Sequence, residues 1–360
     1  MVDPLTASSP ALVLPRHLDS LLQEGIRRRG QGYRGRFAPS PSGPLHRGNL
    51  RTALIGWLDA RLHGGEWLLR IDDLDAPRNR AGAEEAILAD LRWLGLHWDG
   101  PPLRQSARRG LYATVLSSLR RSGTLYPCRC SRRMLADISA PHEPLTIYPG
   151  LCRGMDPTWG AERGRLPSWR LLLGPGGIAW EERFASAGQL DGPRQVGDIV
   201  VRRADGVIAY HLATAVDELA LAISDVLRGV DLWGSTGPQV AVMAALGMAP
   251  PRYGHVPLWC DARGQRLSKR EGAEGLAGYR ERGLDAAGVV GDLAASLDLV
   301  PVGSRLSAGE LLHSLKRSDL ERCMRAPQRR GCAGSGERSP GSPNGTVTAT
   351  GADPAQGSRI

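Results

Sequence analysis

Lysine is almost missing from this chain: Lys269 and Lys316 stand against 44 arginines in 360 residues. That scarcity makes each lysine conspicuous, because a compact, flexible ammonium meets needs that a planar guanidinium meets poorly. Also missing is any apolar run long enough to span a bilayer, and the N-terminus has no continuous apolar core of the kind a signal peptide needs. Neither a membrane protein nor a secreted one is expected, and the expected location is the cytoplasm. Cysteine is sparse as well. Cys128, Cys130 and Cys152 lie close together while Cys260, Cys323 and Cys332 are scattered, which argues against a disulfide framework. No internal repeat is visible.

The length suits about two domains with an ample core. Hydrophobic content of 41% with 23% charged residues describes a soluble globular chain. The net charge of +9 fits a polyanionic partner. Part of that charge is uninformative, because five arginines against Glu337 and Asp353 fall from Arg325 onward, in a stretch of Gly, Ser, Pro, Thr and Ala. Such a composition buries too little surface to fold, so residues 325–360 are expected to be a disordered tail.

The densest signal is Arg36 to Asn49, R-F-A-P-S-P-S-G-P-L-H-R-G-N. Pro39, Pro41, Gly43 and Pro44 shape a short loop. After Gly48, the residues Leu50, Ala53, Leu54, Trp57, Leu58 and Leu62 repeat at helical spacing until Gly64-Gly65. His46 and Gly48 therefore mark a helix N-terminus, where unpaired N–H groups and the helix dipole favour phosphate and an imidazole adds a donor. Trp67 to Asp72 reads as a buried strand ending in carboxylates. Loop, helix and strand together suggest a βαβ unit with its ligand at the strand ends. Far downstream, Lys269 sits in Arg266-Leu267-Ser268-Lys269-Arg270.

H-R-G-N and R-L-S-K-R resemble the HIGH and KMSKS signatures of class I aminoacyl-tRNA synthetases, and R-F-A-P-S-P-S-G narrows the resemblance to their glutamyl branch. It covers roughly residues 34 to 275. The implied fold class is α/β: a Rossmann-like class I synthetase catalytic domain with an inserted α+β subdomain carrying a zinc site. The expected organisation is an N-terminal extension (1–33) with one amphipathic helix carrying Leu18, Leu21, Leu22 and Ile26, then a first half of the nucleotide-binding domain (34–127). An insertion (128–197), a second catalytic half with the lysine loop (198–280), a helical remnant (281–324) and the tail follow. Within the first half, Ala83–Leu94 and Arg108–Arg121 have helical periodicity. Further on, 199–202 and 207–211 read as a hairpin, Asp225–Val230 as a central strand and Thr236–Leu246 as its following helix.

The implied reaction is attack of an amino-acid carboxylate on the α-phosphate of ATP, assisted by Mg2+, followed by acyl transfer to a hydroxyl. His46 and Lys269 are the expected catalytic residues, and Pro39, Ser40, His46, Gly48, Asn49 and Lys269 the expected ATP site. An acidic amino acid brings two carboxylates and an ammonium, for which Arg36 and Arg228 offer bidentate forks and Asp72 an anion. By resemblance Arg36, Phe37, Ala38, Pro39, Ser40, Asp72, Tyr210 and Arg228 match glutamate-binding positions. Asp72 departs from the pattern, since the family motif reads R-I-E-D where this chain has Arg70-Ile71-Asp72-Asp73.

Cys128, Cys130 and Cys152 offer three thiolates, one short of the four ligands of structural zinc. Spacing alone nominates His142 as the fourth. The resemblance implies Tyr148 instead, since short glutamyl-synthetase-like proteins carry C-x-C followed by Y-x-x-x-C, matched here by Tyr148 to Cys152. Only 91 residues follow Lys269, too few for a large anticodon-reading region. Combined with the cysteine–tyrosine cluster, this favours the short members of the branch, which attach glutamate to the queuosine base of tRNA(Asp). The expected partners are tRNA(Asp), L-glutamate and ATP, with no membrane, and the expected state is a monomer. The alternatives are a truncated or discriminating glutamyl-tRNA synthetase that charges a tRNA 3′ end and a catalytically silent RNA-binding paralogue.

Overall fold

The structure is a computed structural model that describes residues 11–131, 133–135, 147–155, 158–162, 164–259 and 275–325. Helix α1 (Arg16–Arg29) buries Leu18 and Leu22, while Leu21 is exposed. Strand β1 (Arg34–Phe37) runs through the loop at 38–46 into α2 (Arg47–Leu62). That helix starts where His46 and Asn49 cap one another reciprocally, and the chain turns away at Gly64 with φ +63°. Strand β2 (Glu66–Ile71), helix α3 (Ala83–Trp93), the short β3 (Leu103–Arg104) and α4 (Arg109–Arg121) complete the first half.

Next come β4 (Leu125–Cys128), β5 (Ser168–Leu171), the antiparallel hairpin of β6 (Gly177–Trp180) and β7 (Gly188–Asp191), and β8 (Ile199–Arg202). Strands β4, β5 and β8 form an antiparallel sheet in that order. The chain continues through α5 (Tyr210–Ala220), β9 (Asp225–Gly229), α6 (Thr236–Ala245) and β10 (Arg252–Val256). Helices α7 (Leu276–Glu281), α8 (Ala286–Ala295), α9 (Ala308–Ser314) and α10 (Arg317–Arg325) follow.

β1 pairs in parallel with β2, β2 with β3, and β9 with β10. β9 lies beside β1, where Ser224 N donates to Arg34 O (3.0 Å) and Arg34 N to Ser224 Oγ (2.8 Å). The order β3-β2-β1-β9-β10 therefore reverses direction between β1 and β9, the switch point at which doubly wound sheets bind ligands. Trp67, Leu69 and Ile71 of β2 join a cluster with α2, α3, α8, α9 and α10, whereas Leu68 packs with Val226, Val240 and Tyr253. This alternation puts helices on both faces of the sheet. On the second face α1 packs against α5, so closely that a Cβ on Gly25 would lie 2.0 Å from Leu219 O.

Two local expectations change. The hairpin after β8 has a short second arm: Arg203 N bonds Val207 O and Ala209 N bonds Val201 O, after which Tyr210 and His211 open α5. The segment expected as an insertion also feeds the main sheet. Glu182 pairs in parallel with Tyr253, with Arg183 N donating to Tyr253 O (2.7 Å) and Tyr253 N to Glu181 O (2.9 Å).

Candidate active site and metal centre

The loop after β1 delivers His46 to the start of α2, where its Nδ1 accepts from Asn49 N (3.3 Å) and Asn49 Oδ1 accepts from His46 N (3.4 Å). With Nδ1 accepting, a neutral ring carries its proton on Nε2. Gly48 fits beneath this ring, since a Cβ there would lie 3.2 Å from Nδ1 and Cε1. Lys269 and the rest of Arg266–Arg270 lie outside the described residues. The residues that flank this stretch rest against the His46 region. A Cβ on Gly275 would lie 2.8 Å from Leu45 O. The Trp259 ring is stacked by the guanidinium groups of Arg47 (4.6 Å) and Arg51 (4.9 Å) from α2.

At the C-terminal ends of β1 and β2 lies a buried ionic network. Arg36 Nε donates to Glu218 Oε1 (2.8 Å) and Arg36 Nη1 to Leu227 O (3.2 Å). Arg70 Nη1 reaches the same Glu218 oxygen (3.4 Å), while its Nε and Nη2 grip the two Asp72 oxygens at 2.7 and 3.2 Å. Burial opposes ionisation of Glu218, yet Arg36 and Arg70 hold its carboxyl below the ordinary range. Burial pushes Asp72 up to about 6 against the opposing pull of Arg70. Next to Glu218, Asp217 accepts from Gln105 Nε2 (3.0 Å), Arg108 Nε (2.7 Å) and Tyr112 OH (2.9 Å).

Arg228, on β9, is buried rather than a surface ion pair. Its Nη1 donates to Gln239 Oε1 (2.8 Å), its Nη2 to Thr236 Oγ1 (2.7 Å) and its Nε to His255 Nε2 (3.3 Å). His255 Nδ1 faces Glu182 Oε2 at 2.8 Å. Burial keeps His255 below its ordinary pKa although Glu182 opposes that shift, so in the neutral ring Nδ1 donates to Glu182 and Nε2 accepts from Arg228. Tyr210 is 39% exposed, which makes it a rim residue and not a core aromatic. It lines a cavity of about 730 Å³ together with Ser40, Asp72, His211 and Cys130. Phe37 points the other way, buried and stacked on Trp67 (6.0 Å), so only its backbone is left for a ligand. Pro39 O accepts from Asp72 N (3.0 Å), which ties the two loops together.

The three cysteines of the insertion converge. The Sγ atoms of Cys128, Cys130 and Cys152 all lie within 4.8 Å of one another, with Cys130 and Cys152 at 3.6 Å. Tyr148 OH lies 3.4 Å from Cys128 Sγ and 3.6 Å from Cys130 Sγ and accepts from Cys152 N (2.9 Å). Thiolates about 2.3 Å from a tetrahedral zinc are spaced in this way. Gly197, at φ +68°, lets the outgoing strand close on this cluster, since a Cβ would lie 2.8 Å from Tyr148 N. His142 lies outside the described residues.

The family model "tRNA synthetases class I (E and Q), catalytic domain" matches residues 33–143 and 186–286. A glutamyl-Q tRNA(Asp) synthetase of Prochlorococcus marinus is 56% identical over 85% of this chain and 95% of its own length. The chain belongs to the glutamyl-Q tRNA(Asp) synthetase family. A member from Symbiobacterium thermophilum is 44% identical over 82% of this chain and 95% of its own. Among solved structures, a glutamate tRNA ligase of Elizabethkingia meningosepticum, crystallised with its amino acid, is similar at TM-score 0.67 and 26% identity. This chain aligns over 81% of its own length and spans 65% of that ligase.

Reading the sequence missed the network partners of this family member's site, namely Arg70, Asp217 and Glu218. A signal was present: two adjacent acids inside the apolar helical run L-A-T-A-V-D-E-L-A-L are costly unless paired. His211 was missed as well. Its Nδ1 is inaccessible and has no hydrogen-bond partner among the described residues, and burial, then Arg228, pushes the ring down to about 4, so it is neutral. Removing the shared anion tests the network. Glu218→Gln is expected to destabilise the fold by about 3 kcal/mol, because two buried guanidinium groups lose a common counter-charge. Urea denaturation measures this, and a loss below about 1 kcal/mol would show that Asp72 and Asp217 suffice for Arg70.

Proposed function

We propose that this protein activates L-glutamate with ATP and Mg2+ and transfers the glutamyl group to the queuosine base in the anticodon of tRNA(Asp). The observation that carries the reading is the 56% identity to relatives of that name over 95% of their length, on a chain whose site offers two buried guanidinium forks and an acid. In the first step an oxygen of the glutamate α-carboxylate attacks the α-phosphorus, and the bond to pyrophosphate breaks. In the second, a hydroxyl of the queuosine cyclopentenediol attacks the acyl carbon and loses its proton as AMP departs. A cis-diol of this kind resembles a terminal ribose diol, so no new chemistry is required.

Each residue has a role on this reading. His46 offers Nε2–H, and the start of α2 its N–H groups, to the phosphates, while Lys269 meets charge that grows there in the transition state. Arg36 and Arg228 each have N–H groups beyond those their protein partners take, and these receive the two substrate carboxylates. Asp72 faces the ammonium from a position set by Arg70. Tyr210 closes the rim. Cys128, Cys130, Cys152 and Tyr148 hold zinc, which ties β4 to the chain that returns at Gly197. Metal analysis of purified protein is expected to find about one zinc per chain, and less than a tenth of an equivalent rejects the site.

The acceptor is tested with labelled glutamate and three RNAs: queuosine-containing tRNA(Asp), the same tRNA from cells unable to make queuosine, and tRNA(Glu). Label is expected on the first alone. Efficient charging of tRNA(Glu), or equal labelling of both forms of tRNA(Asp), overturns the proposal in favour of esterification at a 3′ end.

A further inference from the structure

A second cavity, of about 460 Å³, adjoins the first across the turn from Arg203 to Ile208, and the two share Leu74, Asp205, Val207 and Ile208 as walls. Its lining combines cations with apolar surface: Arg109 and Arg202 on one hand, Leu116, Ile208 and Trp169 on the other. Arg109 is the exposed first residue of α4, and its side chain makes no hydrogen bond or ion pair among the described residues. Arg202 stacks on the Trp169 ring at 5.0 Å and has no carboxylate partner among the described residues. The one acid in the lining, Asp205, is taken by Arg203 Nη2 (2.5 Å) and Val207 N (3.1 Å). The cavity thus has two uncompensated cations beside an aromatic and aliphatic wall.

We propose that this second cavity binds a nucleotide next to the acceptor base in the same RNA loop, an inference that rests on the RNA acceptor proposed above. Arg109 and Arg202 take its phosphate, and its sugar and base lie against Leu116, Ile208 and Trp169. Single-stranded loops are the RNA form that suits such a pair of pockets, because their bases splay apart and their backbone tracks cationic grooves. The Arg203–Ile208 turn then acts as a wedge between two successive nucleotides. One sits over Tyr210 and Asp72 in the first cavity and its neighbour lies beyond the turn.

The test uses the full chain with Arg109→Glu, Arg109→Lys and Arg202→Ala. ATP–pyrophosphate exchange without RNA reports that each variant is folded. Glutamylation of queuosine-containing tRNA(Asp) is expected to show a tRNA KM raised about tenfold in Arg109→Glu and Arg202→Ala, with kcat nearly unchanged. Arg109→Lys should stay near wild type. The slope of log affinity against log salt should fall by about one in Arg202→Ala. A tRNA KM for Arg109→Glu within twofold of wild type overturns the inference. Direct binding of a fluorescently labelled anticodon stem-loop separates the two claims. If the wild type does not glutamylate queuosine tRNA yet binds the loop in an Arg109-dependent way, the acceptor reading fails and the cavity inference stands. If binding is unaffected by Arg109→Glu, the cavity inference fails alone.

Discussion

The Glu218 carboxylate, fully buried between Arg36 and Arg70, is the constraint on which the site depends. A lone carboxylate in that position would be expelled or protonated, because burial without a partner costs several kcal/mol. Two guanidinium groups offset the cost, and they come from adjacent parallel strands. Glu218 therefore joins α5, in the second half of the chain, to β1 and β2 in the first. That link spans the point between β1 and β9 at which the strand order switches. Arg70 passes the constraint on by gripping both oxygens of Asp72. The chain thus determines where its acid sits before any substrate arrives. Such preorganisation is the main way a site built for phosphates and carboxylates lowers a barrier.

A second relay fixes the other guanidinium. Glu182 orients His255, His255 accepts from Arg228 Nε, and Gln239 and Thr236 of α6 each accept one N–H from the two Nη groups of Arg228. Glu182 belongs to the segment that adds an edge to β10, so His255 joins the backbone pairing with Tyr253 and the ion pairs of Arg183 with Asp59 and Asp225 in coupling the inserted part of the chain to the main sheet. Because burial keeps that ring neutral, the relay transmits orientation without a second positive charge beside Arg228.

Much of this was legible in the residues. The Gly48 helix start, the β2 strand and the pair of β9 and α6 follow from local periodicity and punctuation, which act over a few residues. The cysteine cluster was legible as three potential metal ligands, and it took the resemblance to nominate Tyr148, whose hydroxyl lies beside two of the sulfurs. Long-range choices were not legible. Nothing local to Glu218 says that its partners are Arg36 and Arg70, and nothing local to Phe37 says that its ring turns toward Trp67. The run V-I-A-Y-H fits a strand as well as a helix start, and packing of Leu212, Val216 and Leu219 against α1 decides for the helix. The role of residues 181–183 as a sheet edge is likewise a tertiary outcome, since three residues carry no period of their own.

The central claim is that the Glu218-braced site is complete for an acidic amino acid without RNA. ATP–pyrophosphate exchange on the purified protein, with L-glutamate or L-glutamine as the sole amino acid and no tRNA present, tests it most directly. The account predicts exchange with L-glutamate and little with L-glutamine, whose amide leaves one guanidinium fork without a carboxylate. Equal exchange with both amino acids, or exchange with L-glutamate only after tRNA is added, would contradict it.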